Sequence, residues 1–327
     1  MKKALKITLT TLAIIIVSVM VILLLFKLGE RLYFNSFYSN AQVEFAIPGL
    51  MDGYVPQGFD YLEEEDAFLA CGYMKGKSAS RVYLIKRDGS YTYTELKKAD
   101  GKKYTGHTGG VEYFENYLYI TGSSGIDVFT LSDVVEGKSE TRLLGTIDSY
   151  GVDPAHCFIY DGSLYVGSFY KAGDYDTPVE HHLTTPCGDE NKGAMLSFKL
   201  DSQGTFGVNP VPNAFYSMPS FVQGACVTED GKLVLSTSWG ISVSHLYVHD
   251  LAKINSYDEK ITIGGNEMAL YYVDGASLVN TIDAPPMSEE IIYLEGKIWV
   301  MNESACNKYI FGKFTTGNNL YSYNYNK

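Results

Sequence analysis

After residue 50, apolar and polar residues alternate in short runs, and the same pattern returns five times along the chain. In three of the copies an Asp-Gly or Glu-Gly turn, such as Asp161-Gly162, joins two β-prone runs, which is the strongest short-range signal of a β-hairpin. Recurrence with a period of roughly 50 residues is typical of radially repeated β-architectures. The copies begin at Gln57, His107, His156, Gln223 and Glu289-Glu290.

Two further β-like segments follow most of the hairpins, so the repeat predicts four strands. The fifth copy lacks its fourth strand, but Gln42 to Ile47 near the start of the chain has the matching alternation. We therefore expect an all-β fold, a five-bladed β-propeller whose last blade is completed by the N-terminal strand. A six-bladed propeller is the alternative, if the segment around Ala269 to Val273 begins a further blade.

The start of the chain has a different pattern. Ile7 to Phe26 carries no charged residue, and about 20 apolar residues suffice for an α-helix to cross a bilayer. Lys2, Lys3 and Lys6 precede this run, so the positive-inside tendency places the N-terminus in the cytoplasm. We expect an uncleaved signal anchor. A cleaved signal peptide is the alternative, although its small-residue site near Ala41 lies far beyond the apolar run.

These patterns divide the chain into a transmembrane segment with short flanks in residues 1–31, a linker in residues 32–41 and a propeller domain in residues 42–327. The protein is then a single-pass protein of the cell membrane with an extracytoplasmic propeller. The first 31 residues carry five basic residues and one acidic residue, a net charge of 5 − 1 = +4. Because the whole chain has a net charge of −12, the remaining residues carry a net charge of −16. A domain this acidic repels nucleic acid, which excludes nucleic-acid binding.

The five cysteines show no CxxC or other metal-type spacing. Cys157 and Cys226 fall just inside inner strands, where we expect them to serve as small apolar core residues. Cys187 and Cys306 fall in loops, and their pairing depends on a close approach of the two Cα atoms.

The repeat also predicts where polar side chains collect. The inner strand of every blade begins at one face of a propeller, beside the central channel, so the residues that open the five copies should form a ring at one mouth of that channel. The second strands end on the same face and add Trp239 and Glu303. The predicted ligand-binding set is Gln57, His107, His156, Gln223, Trp239, Glu289, Glu290 and Glu303.

This ring offers candidate chemistry. Its histidines with one carboxylate, His107, His156 and Glu290, suit zinc, manganese or iron, and glutamine carbonyls with carboxylates also suit calcium. A divalent metal there would polarise an ester, phosphoester or lactone. Without a metal, either histidine beside a glutamate is a candidate acid–base pair. The long loop of residues 170–191 brings His181-His182 to the same face. The competing interpretation is that the ring only hydrates the mouth and holds loop backbones.

Several segments resemble those of extracytoplasmic bacterial β-propeller proteins without an established activity: Pro56-Gln57-Gly58, His107-Thr108-Gly109-Gly110, and Ala284 to Glu290 followed by Asn302 to Cys306. The resemblance covers the region after residue 41 and implies a propeller exported to the cell surface. The fold is also similar to five-bladed glycosidases and calcium-activated nucleotidases, and more loosely to six-bladed lactonases of the gluconolactonase type. Those glycosidases place acidic residues where this chain has Gln57, His107 and His156, which disfavours glycoside hydrolysis.

The expected function is therefore binding of a small ligand, glycan or peptide at the channel mouth. One alternative is a metal-dependent hydrolase of the esterase, phosphoesterase or lactonase type that uses the same ring. A second is a scaffold that docks another envelope protein through its acidic rim. The sequence leaves open whether the protein is an enzyme and whether it forms oligomers.

Overall fold

A computed structural model describes residues 2–122, 125–309, 311–314 and 317–325. Five sheets, each with four antiparallel strands, stand around a common axis as the blades of a β-propeller. The inner strand of each blade contacts the inner strands of both neighbours, and the fifth contacts the first, which closes the ring. The six-bladed alternative is not supported.

The strands follow the predicted repeat. The N-terminal strand β1 covers Ala41–Ala46. Blade 1 contains β2 Tyr54–Leu62, β3 Ala67–Met74, β4 Arg81–Lys86 and β5 Tyr91–Lys97. Blade 2 contains β6 Val111–Phe114, β7 Tyr117–Gly122, β8 Gly125–Thr130 and β10 Gly145–Ile147, while β9 Glu140–Arg142 pairs in parallel with β5 of blade 1.

Blade 3 is the widest. It contains β11 Pro154–Tyr160, β12 Ser163–Ser168, β15 Gly193–Thr205 and β16 Ala214–Met218, and the loop after β12 carries the short hairpin β13 Leu183–Thr184 and β14 Glu190–Asn191. Two later strands, β20 Lys260–Ile263 and β21 Asn266–Tyr272, extend its outer edge because β21 pairs in parallel with β16. The segment considered as the start of a sixth blade therefore widens the third.

Blade 4 contains β17 Val222–Val227, β18 Lys232–Thr237, β19 Ser244–Asp250 and β22 Leu278–Ala284. Blade 5 contains β23 Ser288–Leu294, β24 Lys297–Asn302 and β25 Asn319–Asn324. Strand β1 completes blade 5 by pairing antiparallel with β25, Gln42 lying opposite Ser322. The predicted closure by the N-terminal strand is confirmed.

Apolar side chains fill the spaces between neighbouring blades. Phe68 of blade 1 and Trp299 of blade 5 are both buried, and their rings lie 4.9 Å apart between centroids. Stacking of blades through such clusters allows a chain of this length to form one domain, because each blade buries its faces against its neighbours.

Helix α1, Lys2–Tyr33, includes an exposed apolar stretch, Leu5–Tyr33, that is long enough to cross a membrane. The short helix α2, Asn35–Asn40, follows within the segment predicted as a linker and packs on β22, β25 and β1. Its Phe37 is buried and stacks on Tyr323, with 5.3 Å between ring centroids. A third short helix, α3 Leu131–Val135, follows β8.

We call the side of the disc where β2, β6, β11, β17 and β23 begin the mouth face, and the other side the opposite face. On the mouth face, four of the five inner strands start with a β-bulge, one extra residue relative to the neighbouring strand. The bulges lie between Pro56 and Gly58, between Pro154 and His156, between Val222 and Gly224, and between Ser288 and Ile291. Bulges redirect side chains and are common near functional sites.

Candidate functional site

A cavity of about 500 Å³ opens at the mouth face. The bulged residues Gln57, Ala155 and Gln223 line it together with His107, Trp239 and Glu303, so five predicted residues meet there. The cavity is also lined by residues that the ring prediction did not include: Tyr73, Asp153, Pro154, Phe169, Tyr175, Ser238, Gly240, Met287, Lys308 and Tyr309.

One wall of the cavity is aromatic and partly exposed. Trp239, which follows β18, lies 6.0 Å from Phe169 between ring centroids, and Phe169 lies 5.3 Å from Tyr175. Lys171 Nζ stands 4.4 Å from the centroid of the Trp239 ring, a cation–π contact. Because 41% of Trp239 remains exposed, the indole presents apolar surface to the cavity.

The facing wall combines rings with a cation. His107 packs on Tyr73, with 4.9 Å between the ring centroids. Lys308 Nζ donates to the Tyr73 hydroxyl and lies 4.9 Å from the ring centroids of both Tyr73 and Tyr309. The His107 ring is open to the cavity but surrounded by protein on most sides, and this desolvation, with the charge of Lys308, lowers its pKa to about 4. His107 is therefore neutral at physiological pH.

Glu303, which lines the cavity, forms a carboxyl pair with Glu289, a predicted ring residue that is buried and does not line the cavity. Gln57 Nε2 donates to Glu303 Oε2 at 2.9 Å, and Glu303 is also hydrogen bonded to Glu289 and Tyr309. Burial raises the pKa of Glu303 to about 7, although Lys308 and the hydrogen bonds oppose the shift. Burial also raises the pKa of Glu289 well above its usual range, and repulsion from Glu303 adds to the effect. The pair shares protons near neutral pH.

His156 does not reach the cavity. Its buried ring lies over Gly167, where an added Cβ would stand 2.2 Å from Nε2, and neither ring nitrogen has a hydrogen-bond partner among the residues that the structure describes. Burial lowers its pKa to about 3. The bulge position that Gln57 and Gln223 occupy in blades 1 and 4 is taken by Ala155 in blade 3. The register predicted for the third copy is therefore wrong by one residue. Since side chains alternate along a strand, that shift turns His156 away from the mouth.

Glu290 closes the channel beneath the cavity. A Cβ added at Gly110 of blade 2 or Gly224 of blade 4 would stand 2.8 or 2.9 Å from its carboxylate oxygens, so this side chain of blade 5 reaches across the axis. Its Oε1 accepts a hydrogen bond of 3.1 Å from the Ala225 N–H. Burial raises its pKa well above the usual range, while the N–H groups of Ala225 and Cys157 oppose the shift. The glycines leave the room that this carboxyl group fills.

The predicted metal ligands are not brought together. His107 lies in the cavity wall, His156 inside blade 3 and Glu290 across the channel. Within the described ranges, no group of three or more His, Cys, Asp or Glu residues is arranged to hold a metal ion. The loop histidines also lie apart from the cavity: His181 is buried 5.4 Å from Phe215 between ring centroids, and His182 Nε2 lies 3.0 Å from Thr177 Oγ1.

The five cysteines are free thiols in this structure. Cys157 and Cys226 are buried, as expected, and Cys306 is buried as well. Cys187 is exposed, and its thiol donates to Asp189 Oδ2 at 3.3 Å. Cys187 and Cys306, whose pairing the sequence left undecided, do not form a disulfide.

The residues that the ring prediction missed come mostly from loops. Tyr73 lies two residues beyond Cys71 on β3, at a strand end that the register already placed on the mouth face. Lys308 and Tyr309 follow Glu303 in the loop after β24, which folds back through an N–H···O bond from Tyr309 to Cys306. The strand-end signal could have found Tyr73, but no periodic pattern marks the loop residues.

No family model matches this chain, and no curated protein matches it either. Similar solved structures include the PQQ-bound form of an aldose sugar dehydrogenase from Streptomyces coelicolor, at 12% identity and a TM-score of 0.48, covering 86% of this chain and 96% of that one. A glutaminyl cyclase from Myxococcus xanthus has 10% identity and a TM-score of 0.44, covering 80% and 91%. An exo-β-1,3-galactanase from Phanerochaete chrysosporium has 12% identity and a TM-score of 0.46, covering 87% and 64%. At these identities the likeness concerns the fold alone.

Proposed function

We propose that this protein is a membrane-anchored, extracytoplasmic β-propeller that binds a sugar or short glycan in the mouth-face cavity. The observation that carries the proposal is the composition of that cavity, in which partly exposed aromatic rings stand beside buried hydrogen-bonding groups. At about 500 Å³, the cavity falls within the range of small-molecule sites.

A sugar ring has an apolar face of C–H groups and an edge of hydroxyl groups, and the cavity offers a partner for each. Trp239 supplies a flat apolar surface, while Gln57, Gln223 and Glu303 supply amide and carboxyl groups. With His107 neutral and the Glu289–Glu303 pair sharing protons, the site carries less charge at neutral pH than its residue types suggest. This balance favours a neutral, polyhydroxylated ligand over a strongly charged one.

The proposed location follows from α1. Its apolar stretch has the length of a membrane span, is exposed in the structure and is preceded by Lys2, Lys3 and Lys6. Basic residues flanking a span tend to stay in the cytoplasm, which would leave the propeller outside. The ligand is then a molecule of the cell envelope or its surroundings.

Binding is tested on the full-length protein in detergent micelles by isothermal titration with a panel of neutral and acidic mono- to tetrasaccharides and of short peptides. Trp239→Ala removes the aromatic surface, and Tyr160→Ala removes a comparably exposed ring on the opposite face as a matched control. A ligand that covers half of the exposed indole buries about 50 Å², worth about 1.3 kcal/mol. Binding should therefore weaken about tenfold in Trp239→Ala alone.

Saccharide binding that both variants weaken equally would place the site elsewhere. Binding of peptides but no saccharide would assign the cavity to the peptide class and overturn the proposed ligand. Failure of the whole panel to bind would leave the scaffold alternative as the better account of the propeller.

A second candidate function, hydrolysis of an ester or amide without a metal, is favoured by the pKa of Glu303 near 7, since a general acid–base group works best near ambient pH. The Glu303 carboxylate would take a proton from water as that water attacks the carbonyl carbon, and return it to the leaving group as the bond breaks. Glu303 and Glu289 are hydrogen bonded, hence closer than the roughly 5 Å between the carboxyl groups of retaining glycosidases. Fluorogenic ester and peptide substrates test this candidate, with activity expected to vanish in Glu303→Gln.

A further inference from the structure

The most exposed large apolar side chains outside α1 all belong to loops of the mouth face. Among the described residues they are Met51, Val179 and Ile241, which are 76%, 78% and 81% exposed. Met51 lies between β1 and β2, Val179 between β12 and β15, and Ile241 between β18 and β19, and each of these loops joins mouth-side strand ends. The partly exposed Trp239 and Tyr175 lie in two of the same loops.

Helix α1 meets the propeller on the same side. It contacts the turn Phe311–Phe314, and Lys27 lines a surface groove together with Lys313 of that turn. This turn lies in the loop that joins the mouth-side ends of β24 and β25, the loop that also brings Glu303, Lys308 and Tyr309 to the cavity. No residue in the most apolar 18-residue window of α1 is buried, so the propeller does not cover that part of the helix.

We propose that the mouth face docks on the bilayer that α1 enters, with Met51, Val179 and Ile241 in the lipid interface. Exposed apolar residues beside Trp and Tyr side chains are the composition of membrane-interface surfaces, because one end of each aromatic ring is apolar and the other polar. The bilayer is the chosen occupant because the face is continuous with the helix that enters it. The inference rests on the proposed membrane anchorage and gives the cavity a ligand presented at the membrane surface.

The two tryptophans of the chain provide the test. Trp239 lies on the mouth face and is 41% exposed, whereas Trp299 is 3% exposed in the core. The full-length protein is reconstituted in vesicles of phosphatidylcholine or of brominated phosphatidylcholine, which quenches nearby indole emission. The emission of Trp239, obtained by subtracting the spectrum of Trp239→Phe from that of the wild type, should fall at least twofold in brominated vesicles.

The matched control places the fluorescent indole on the opposite face of the propeller. Trp239→Phe combined with Tyr160→Trp places an indole at a 39% exposed position at the far end of β11, about 20 Å from the mouth. Its emission should be the same in both kinds of vesicle. Replacing Met51, Val179 and Ile241 by Ser should at least halve the quenching of Trp239, with an unchanged circular dichroism spectrum.

Flotation of the same vesicles separates the two parts of the proposal. Protein that floats without quenching of Trp239 would overturn docking and leave anchorage intact. Quenching of the control indole introduced by Tyr160→Trp to the same extent as that of Trp239 would have the same consequence. Protein that does not float would overturn the anchorage, and docking with it.

Discussion

Replacing Glu303 by Gln should remove a pH-dependent part of the stability of the propeller. The folded-state pKa of Glu303 is about 7, against an ordinary value of 4.5, because burial disfavours the ionised form. The folded protein therefore binds the proton more tightly than the unfolded chain. This contribution is fully present below pH 4.5 and is lost as the pH rises to about 7.

The magnitude follows from the shift. A difference of about 2.5 pKa units corresponds to about 3 kcal/mol, and for a domain of this size 1 kcal/mol changes the Tm by about 2 °C. Between pH 4.5 and pH 8 the wild type should thus lose about 6 °C more in Tm than Glu303→Gln. The new amide still accepts the hydrogen bond from Gln57 Nε2, so the local geometry is kept.

The assay is thermal unfolding of the full-length protein in detergent micelles, followed by far-ultraviolet circular dichroism at half-unit steps of pH. Glu229→Gln, a change at an exposed turn of the opposite face, is the control and should follow the wild type. Loss of Glu303 also relieves repulsion on Glu289, which acts in the same direction. Curves of Tm against pH that run parallel for the wild type and Glu303→Gln would refute the reasoning.

Three further outcomes are expected. Gly167→Ala should lower the free energy of unfolding by about 2 kcal/mol, because its Cβ would meet the His156 ring, and adding His156→Ala should restore part of the loss in the same thermal assay. Phe37→Ala should cost about 3 kcal/mol by removing the ring stacked on Tyr323, and limited proteolysis should then cut between α1 and β1 sooner than in the wild type. Maleimide should label one thiol per native chain, at Cys187, and five after denaturation, as mass spectrometry would show.

The blade architecture was accessible from the sequence because it depends on local features. Alternation of apolar residues and acidic turns specify each hairpin within a dozen or so residues, as at Asp161-Gly162, where both residues have positive φ. The closing strand was accessible for a related reason: the fifth copy lacked one strand, and Gln42 to Ile47, which overlaps the observed strand Ala41–Ala46, had the missing pattern.

The sequence indicates less clearly which residue of each inner strand faces the mouth, because a bulge adds one residue without a distinctive sequence. His156 was compared with Gln57 and Gln223 as the first polar residue of its copy, but the equivalent position is Ala155. The bulge has no charged or glycine marker in blade 3. His156, the polar residue one position later, therefore matches the ring pattern in the sequence, whereas in the structure its side chain packs over Gly167 of β12.

The position of Glu290 in the repeat was predicted correctly, but its structural role was not. Its position corresponds to Gly58 and Gly224 in other blades, immediately after the bulge. Glycines near the axis leave room for this one long side chain from blade 5, since Gly110 of blade 2 and Gly224 of blade 4 lie against its carboxylate oxygens. The carboxyl group that the sequence suggested as a catalyst instead spans the channel, and its hydrogen bond to the Ala225 N–H ties blade 5 to blade 4.

The cavity itself depends on contacts between distant parts of the chain. Gln57 and Glu303 come from blades at opposite ends of the sequence, and they meet only because β1 closes the ring and sets blade 5 beside blade 1. Burial between those two blades shifts the pKa of Glu303 towards neutrality, which no feature of the segment around Asn302 could indicate. The closure of the propeller is therefore a condition for the chemistry of the site as well as for the stability of the fold. Loss of pairing between β1 and β25 should disturb the carboxyl pair before it disturbs the aromatic wall at Trp239, because that wall is built by loops of blades 3 and 4.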